Sequence, residues 1–120
     1  MQDYKELKVW HKSHSLVLNI YEITKQFPKE EIFGITSQLR RASYSIPSNI
    51  AEGCGKFSQK DFANFLQIAL GSSNEVEYLL LLGKDLKFMN DDIFKLLNNS
   101  INEIKAMLIN LIQKVRNSIT

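Results

Sequence analysis

Apolar residues recur at alternating spacings of three and four along almost the whole chain, in four segments separated by prolines and polar clusters. This spacing predicts a helix with one apolar face in each segment. The alternation is strict in the last segment, whose stripe consists of Leu97, Ile101, Ile104, Leu108, Leu111 and Val115. A repeat of 3.5 residues is typical of helices that pack nearly parallel with a left-handed supercoil.

Local signals set the expected ends of these helices. Phe27-Pro28 ends the first, because proline disfavours helix in the residue before it, and Ser58 and Asn90 are capping residues before the third and fourth. Pro47 lies inside the second stripe, where it removes a backbone donor, so we expect it to kink this helix or to split it just before the proline. The predicted helices span residues 6–26, 29–55, 58–86 and 91–118.

Connections of about two to five residues between such helices leave antiparallel packing as the available route. A chain of 120 residues is the usual size of one domain. We therefore predict an all-α fold over residues 1–120, an antiparallel up-down-up-down four-helix bundle with the second helix kinked near Pro47.

Composition excludes several classes of protein. Cys54 is the one cysteine, so neither a disulfide scaffold nor a multi-cysteine zinc site is available. No run approaches the ~20 apolar residues that span a bilayer, and the first residues lack the pattern of a secretory signal, so we expect a cytoplasmic protein with no membrane partner. The formal net charge of +2 is a weak nucleic-acid signal for a monomer.

Residues able to do chemistry are few. His11 and His14 are three apart on one helix face, but no further ligand accompanies them, so we interpret His14 as a packed or interface histidine. Cys54 has no histidine near it in sequence and is interpreted as a structural thiol. We predict no catalytic, cofactor-binding or metal-binding residues, no cofactor and no enzymatic activity, and we identify no small-molecule substrate.

The chain has more apolar surface than one bundle needs. The third and fourth predicted helices carry apolar side chains outside their stripes, and monomers seldom leave large apolar patches in water. A wide core with scattered exposed leucines is the alternative. We predict a homo-oligomer whose interface includes Tyr78, Leu79, Leu81, Leu82 and Ile112.

Unusual polar residues lie on or beside the stripes of the second and third helices. An unpaired polar group costs a few kcal/mol there, so we expect these side chains to pair with one another. The predicted polar network consists of Arg40, Arg41, Asn49, Glu52, Ser73 and Glu75. It is interpreted either as an interhelical network that fixes register or as a ligand or nucleic-acid surface. Small residues such as Gly53 and Gly71 would permit the close helix approach that short side chains need.

The same segments resemble a known family. They include Leu7-Lys8-Val9-Trp10, Gln38-Leu39-Arg40-Arg41-Ala42, the run from Ser45 to Gly53 and the run from Phe65 to Glu75. Over nearly its whole length the chain is similar to the small bacterial four-helix bundle proteins that include those encoded by intervening sequences within 23S ribosomal RNA genes. More distantly, it is similar to the accessory variability determinant of diversity-generating retroelements.

The resemblance implies a closed antiparallel bundle that assembles as a pentameric ring, without implying an activity. Our first functional hypothesis is an oligomeric scaffold that binds RNA or a nucleic-acid enzyme. The second is a structural or protein-interaction oligomer with no nucleic-acid contact. The predicted nucleic-acid contacts are Lys5, Lys8, Lys12, Arg40, Arg41 and Lys56.

Overall fold

The computed structural model describes residues 2–119, and four long α-helices make up most of this range. They are α1 (Lys8–Thr24), α2 (Ile35–Cys54), α3 (Gln59–Asp85) and α4 (Asp91–Asn117). Single 3₁₀ turns at Tyr4–Glu6 and Lys29–Glu31 precede α1 and α2, and residues 2–119 contain no strand. The predicted all-α fold is confirmed.

Each helix packs against two others around one core. α1 contacts α2 and α4, α3 contacts the same two helices, and within residues 2–119 no Cα atoms of the diagonal pairs lie within 8 Å of each other. The hydroxyls of Ser45 in α2 and Ser72 in α3 are 2.9 Å apart, and the ammonium of Lys105 in α4 lies 2.9 Å from the carboxylate of Glu77 in α3. This arrangement is a four-helix bundle.

The second helix begins later than predicted. Residues 29–31 form a separate 3₁₀ turn, and Gly34 has φ −106° and ψ −121°, which interrupts the helical path before Ile35. The carboxylate of Glu31 accepts a hydrogen bond from the backbone N–H of Ile35 at 3.4 Å. The acidic residues that suggested a helix start at Lys29 therefore precede α2 instead of opening it. The boundary at residue 29 is wrong because it overlooked Gly34.

α2 continues through Pro47 without interruption, so the chain is not split there. Pro47 is buried against the groove between α1 and α2. The kink itself stays a prediction.

Side-chain caps hold α3 and α4 at the predicted positions. The hydroxyl of Ser58 accepts the N–H of Asp61 at 3.1 Å, and the side-chain carbonyl of Asn90 accepts the N–H of Ile93 at 2.8 Å. α3 ends in a Schellman turn in which Lys87, at φ 64°, is the left-handed residue. The turn redirects the chain into α4.

The core is formed by the predicted stripes. Its fully buried side chains are mostly leucine and isoleucine, which pack without polar atoms that need a partner. They include Leu16, Ile20, Leu39, Ile46, Ile50, Leu66, Leu80, Leu97, Ile101, Ile104 and Leu108. Within residues 2–119, no helix combines the length and the apolar character needed to span a membrane.

Gly53 allows α2 and α3 to approach each other where the chain turns between them. A Cβ at this position would lie 2.8 Å from the Cβ of Phe65 and 3.1 Å from Cδ1 of Phe62. The Cβ of Phe65 is fixed to its helix backbone and cannot move aside cheaply. The absence of a side chain at Gly53 therefore sets the separation of the two helices.

We expect Gly53→Ala to lower the free energy of unfolding by about 1–3 kcal/mol, the usual cost of overpacking a fitted core. Gly55→Ala is the matched control, because its Cβ would meet nothing closer than the Glu52 carbonyl oxygen at 3.4 Å. Urea unfolding followed by circular dichroism measures both variants. Equal stability of the two variants would contradict the close approach at Gly53.

Candidate nucleic-acid interface

The first residues of the chain, the end of α2 and the start of α3 meet at one end of the bundle. α4 runs towards the same end, because its first residues border the end of α1 whereas Glu103, further along α4, pairs with Lys12 near the start of α1. The backbone N–H of Gln2 donates to the carbonyl of Cys54 at 3.0 Å, and Gly53 lies against Phe62 and Phe65. Six basic side chains gather there, and we call this group the basic end: Lys5, Lys8, Lys56, Lys60, Lys114 and Arg116.

The basic end carries the net charge of the chain. Within residues 2–119 none of its six side chains has a carboxylate within 4.0 Å. The acidic residues at the same end are Asp3, Glu6, Glu52 and Asp61. Because the chain has 15 basic and 13 acidic residues, nine of each remain elsewhere and balance. The formal excess of +2 therefore lies at the basic end.

An exposed aromatic ring stands among these cations. Phe57, in the connection between α2 and α3, is 90% exposed. Its neighbour Lys56 is half-buried and places its ammonium 5.1 Å from the centre of the Phe65 ring. Proteins that bind single-stranded nucleic acid combine cations that contact the phosphates with aromatic rings on which the bases stack.

The predicted nucleic-acid contacts do not form one patch. Lys5, Lys8 and Lys56 belong to the basic end, whereas the ammonium of Lys12 pairs with the carboxylate of Glu103 at 2.6 Å.

Arg40 and Arg41 lie in the first half of α2, towards the opposite end of the bundle. Lys60, Lys114 and Arg116 were missed by the sequence reasoning. The expected up-down order was a sufficient signal for them, because it brings the end of α4 beside the start of α1.

Arg40 has different partners from those predicted. Its Nε–H donates to the hydroxyl of Thr24 in α1 at 2.8 Å, and its guanidinium carbon lies 4.7 Å from the centre of the Tyr21 ring. Arg41 is exposed and, within the described residues, has no side-chain hydrogen bond or ion pair. Neither arginine pairs with Glu52 or Glu75, which are both exposed.

The predicted network of Arg40, Arg41, Asn49, Glu52, Ser73 and Glu75 is therefore wrong for the single chain. The amide of Asn49 donates to the backbone carbonyl and hydroxyl of Ser45 at 2.8 and 3.0 Å. The hydroxyl of Ser45 in turn meets that of Ser72 at 2.9 Å. Ser73 donates to the carbonyl of Leu70 at 2.6 Å. Short polar side chains in a helix can form hydrogen bonds to groups three or four residues earlier in the same helix, so they need no partner on another helix.

The two histidines take up structural contacts. His11 Nε2–H donates to the carbonyl of Lys5 at 2.6 Å, and the ring of His14 stacks on Trp10 with an interplanar angle of 8°. Both histidines are exposed. Within residues 2–119 no group of three or more histidine, cysteine or acidic side chains is placed to hold a metal ion.

Two of the five predicted interface residues belong to the core of the single chain. Leu79 and Ile112 are 5% and 6% exposed, so they are corrected from interface to core positions. The buried faces of α3 and α4 are wider than the predicted stripes. Leu79 and Ile112 lie at the edges of these buried faces. Tyr78 and Leu81 are exposed, and Leu82 is half-buried.

Cys54 is buried where the end of α2 meets the first residues of the chain. Burial raises the pKa of its thiol, and the negative charge of Asp3 raises it further. A raised pKa lowers the fraction of reactive thiolate at neutral pH. The geometry therefore fits a packed structural thiol.

Together these features define a small four-helix bundle with a cationic, aromatic end. The family model described as "23S rRNA-intervening sequence protein" matches residues 5–110, and the chain belongs to this family. A crystal structure from Bacteroides thetaiotaomicron, described as a protein with unknown function from the S23 ribosomal protein family, is similar to it. That chain has 33% identity and a TM-score of 0.81, and the match covers 88% of this chain and 95% of the other. No curated protein matches the chain.

We expect the thiol of Cys54 to react at least about tenfold more slowly with a disulfide reagent in the native protein than in the urea-unfolded chain at pH 8. Burial limits access, and the raised pKa leaves less thiolate at this pH. Absorbance of the released thiolate measures both rates, and the unfolded chain is the control. Equal rates would show that the thiol is accessible.

Proposed function

We propose that this protein is a non-enzymatic homo-oligomeric scaffold of the cytoplasm, a pentamer in its working form, that binds RNA through the basic end. The observation that carries this proposal is that the formal excess of +2 lies at the basic end, where none of the six cationic side chains forms an ion pair in the described residues. The exposed ring of Phe57 beside them adds a surface on which an unpaired base can stack.

A second stripe on α3, in which three of the five residues have large apolar or aromatic side chains, supports self-association. Ile68, Gly71, Glu75, Tyr78 and Leu82 follow the spacing of three and four on the outer side of this helix, and we call them the outer stripe. Four of them are exposed and Leu82 is half-buried. The 3.5-residue repeat of the outer stripe is that of a helix seam.

Gly71 gives the outer stripe a place for close contact. Glycine costs a helix about 1 kcal/mol relative to alanine, and a Cβ at Gly71 would meet nothing within 4 Å in this chain. Packing within the chain therefore does not require a glycine here. A helix of a second copy that approaches closely at this position does require one.

Assembly raises the charge available to RNA. Five chains of +2 carry about +10, which draws a polyanion far more strongly than a single chain does. The near-neutral monomer is thus compatible with RNA binding if the basic ends lie together.

One observation favours the alternative, a structural or protein-interaction oligomer without nucleic-acid contact. Arg40 donates to Thr24 and lies near the Tyr21 ring of its own chain, away from the basic end, so it adds no charge to that surface. A second copy of the chain can also cover the outer stripe without any RNA. The two functions are separated by the RNA-binding measurement below.

Replacing Lys60 and Lys114 together by glutamine should weaken binding to single-stranded RNA by at least about tenfold at 0.1 M salt, because two phosphate contacts are lost. The slope of log affinity against log salt should become shallower by about 1.4, since each contact to a single strand contributes about 0.7. Filter binding over a salt series measures both quantities.

The matched control replaces Lys87 and Lys95, two exposed lysines of the opposite half, and should leave affinity and slope nearly unchanged. An equal loss of RNA affinity in both double variants would show that the basic end is not the binding surface. If the wild-type protein binds RNA no more strongly than a neutral protein does at low salt, the alternative of a structural oligomer without nucleic-acid contact is supported.

For the outer stripe, we expect the wild-type chain to scatter light as a species several times its mass of 13.8 kDa. Gly71→Arg should reduce this species to single chains, because a long cationic side chain blocks close approach. Asn102→Arg adds the same charge on the exposed side of α4 and should leave the assembly intact. A monomeric wild type, or two variants that assemble alike, would contradict the proposal.

A further inference from the structure

A second polar feature lies at the end of the bundle opposite to the basic end. The hydroxyl of Thr36 exposes less than 1 Å² and has no hydrogen-bond partner in residues 2–119. Thr36 is 2% exposed as a residue. A buried hydroxyl without a partner costs roughly 1–3 kcal/mol, so its retention in the first turn of α2 calls for an explanation.

Thr36 lines a cavity of about 330 Å³ between the end of α1, the turn before α2 and α2 itself. Apolar walls are formed by Phe27, Pro28 and Ile32, and the rim carries Lys25, Lys29 and Arg40. The cavity has the volume of a small ligand site. Its lining combines an apolar surface with three cations, of which Lys25 is paired with Glu22 outside the lining at 2.9 Å, and contains no carboxylate.

Arg40 presents an oriented and unneutralised guanidinium to this cavity. Its Nε–H is bound to Thr24 and its plane is held near the Tyr21 ring, while Nη2 has one long contact of 3.5 Å to the Tyr21 carbonyl. Within residues 2–119 it forms no ion pair. Arg40 therefore retains N–H donors on both Nη atoms at a set position.

The donors around the cavity suit a phosphate. Thr36 and Arg40 are four residues apart on α2, so their Cβ atoms lie about 5–6 Å apart on the same side of the helix. Lys29 lines the cavity from the turn before α2, and its side chain is not paired with an acid in the described residues. A carboxylate is satisfied by one bidentate guanidinium, whereas a phosphate offers acceptors in three directions.

We propose that this cavity binds a phosphomonoester carried on a flat or apolar body, as in a nucleoside monophosphate. Arg40, Lys29 and Thr36 hold the phosphate, and Phe27, Pro28 and Ile32 contact the base or sugar. The exposed side chain of Lys29 moves with the bound ligand, while Arg40 keeps its position, so that a phosphate oxygen reaches the Thr36 hydroxyl. The phosphate comes from a free mononucleotide or from the 5′ end of an RNA strand.

This site is independent of the RNA surface proposed above. The carboxylate of Glu31, which is bound to the N–H of Ile35, is not among the residues that line the cavity. Loss of RNA binding at the basic end would leave AMP binding here unchanged, and loss of this site would leave the binding of a 5′-hydroxyl RNA to the basic end unchanged. The two proposals therefore fail separately.

Calorimetric titration of the full chain with AMP, adenosine and inorganic phosphate tests the proposal. AMP should bind at least tenfold more tightly than adenosine, because the phosphate supplies the charge-assisted contacts, and more tightly than inorganic phosphate, which lacks the apolar body. Equal affinity for AMP and adenosine, or no binding of AMP at millimolar concentration, would overturn it.

Thr36→Val should lower the affinity for AMP by about tenfold or more without lowering the unfolding midpoint, since the hydroxyl has no partner to lose. Thr36→Ser should restore binding to within about threefold of wild type. Arg40→Gln should weaken binding at least as much as Thr36→Val, whereas Arg41→Gln, at an exposed position outside the lining, should not. Wild-type affinity in Thr36→Val would overturn the assignment of its hydroxyl.

Two short oligonucleotides distinguish the sources of the phosphate. If a 5′-phosphorylated trinucleotide binds as tightly as AMP and its 5′-hydroxyl form does not, the ligand is an RNA end. If AMP binds and both trinucleotides are excluded, the ligand is a free mononucleotide. Both results support a phosphomonoester site.

Discussion

The close approach of α2 and α3 at Gly53 is the contact on which the rest of the bundle depends. Gly53 carries no side chain where Phe62 and Phe65 press against α2, and α2 and α3 form the most extensive helix pair. Their separation fits the short side chains of Ser45 and Ser72, which bond directly. A wider separation of α2 and α3 would break the hydrogen bond between those hydroxyls and would open the core.

The same contact positions the basic end. With α2 and α3 in close contact, only residues 55–58 connect them. A connection this short cannot fold back over the bundle, so Lys56 and Phe57 stay at its tip and Lys60 follows in the first turn of α3. The function proposed for the basic end thus rests on a packing feature that itself carries no charge.

Apolar periodicity was enough to predict the four helices, because burial of the stripes is the dominant favourable term in folding. Helix starts that depend on a side-chain cap, at Ser58 and Asn90, were also predictable. The start of α2 was not, since it depends on the backbone conformation of Gly34 and on a 3₁₀ turn that acidic residues alone do not indicate. Burial of Leu79 and Ile112 was missed because a stripe gives the centre of a buried face and not its width.

Polar contacts were the least predictable part of the candidate site. Arg40 was expected to find an acid, but the helix rotation that buries Leu39 directs Arg40 towards α1, where Thr24 and Tyr21 are its neighbours. Asn49 and Ser73 bond within their own helices, an option open to any short polar side chain. Sequence spacing indicates which residues share a face, whereas a hydrogen-bond partner is decided by the exact distance to a neighbouring helix.

The position of the charge limits how copies of the chain can assemble if they bind RNA together. Nine basic and nine acidic residues outside the basic end cancel, so each chain is a rod of about 49 Å with its charge at one tip. Chains that pack through the outer stripe in opposite directions would place neighbouring tips at opposite ends, several Debye lengths apart. Chains that pack in the same direction bring the tips together, and their potentials add. In the proposed assembly, a ring in which all chains point the same way would therefore be the arrangement that gives a near-neutral chain a surface able to bind RNA.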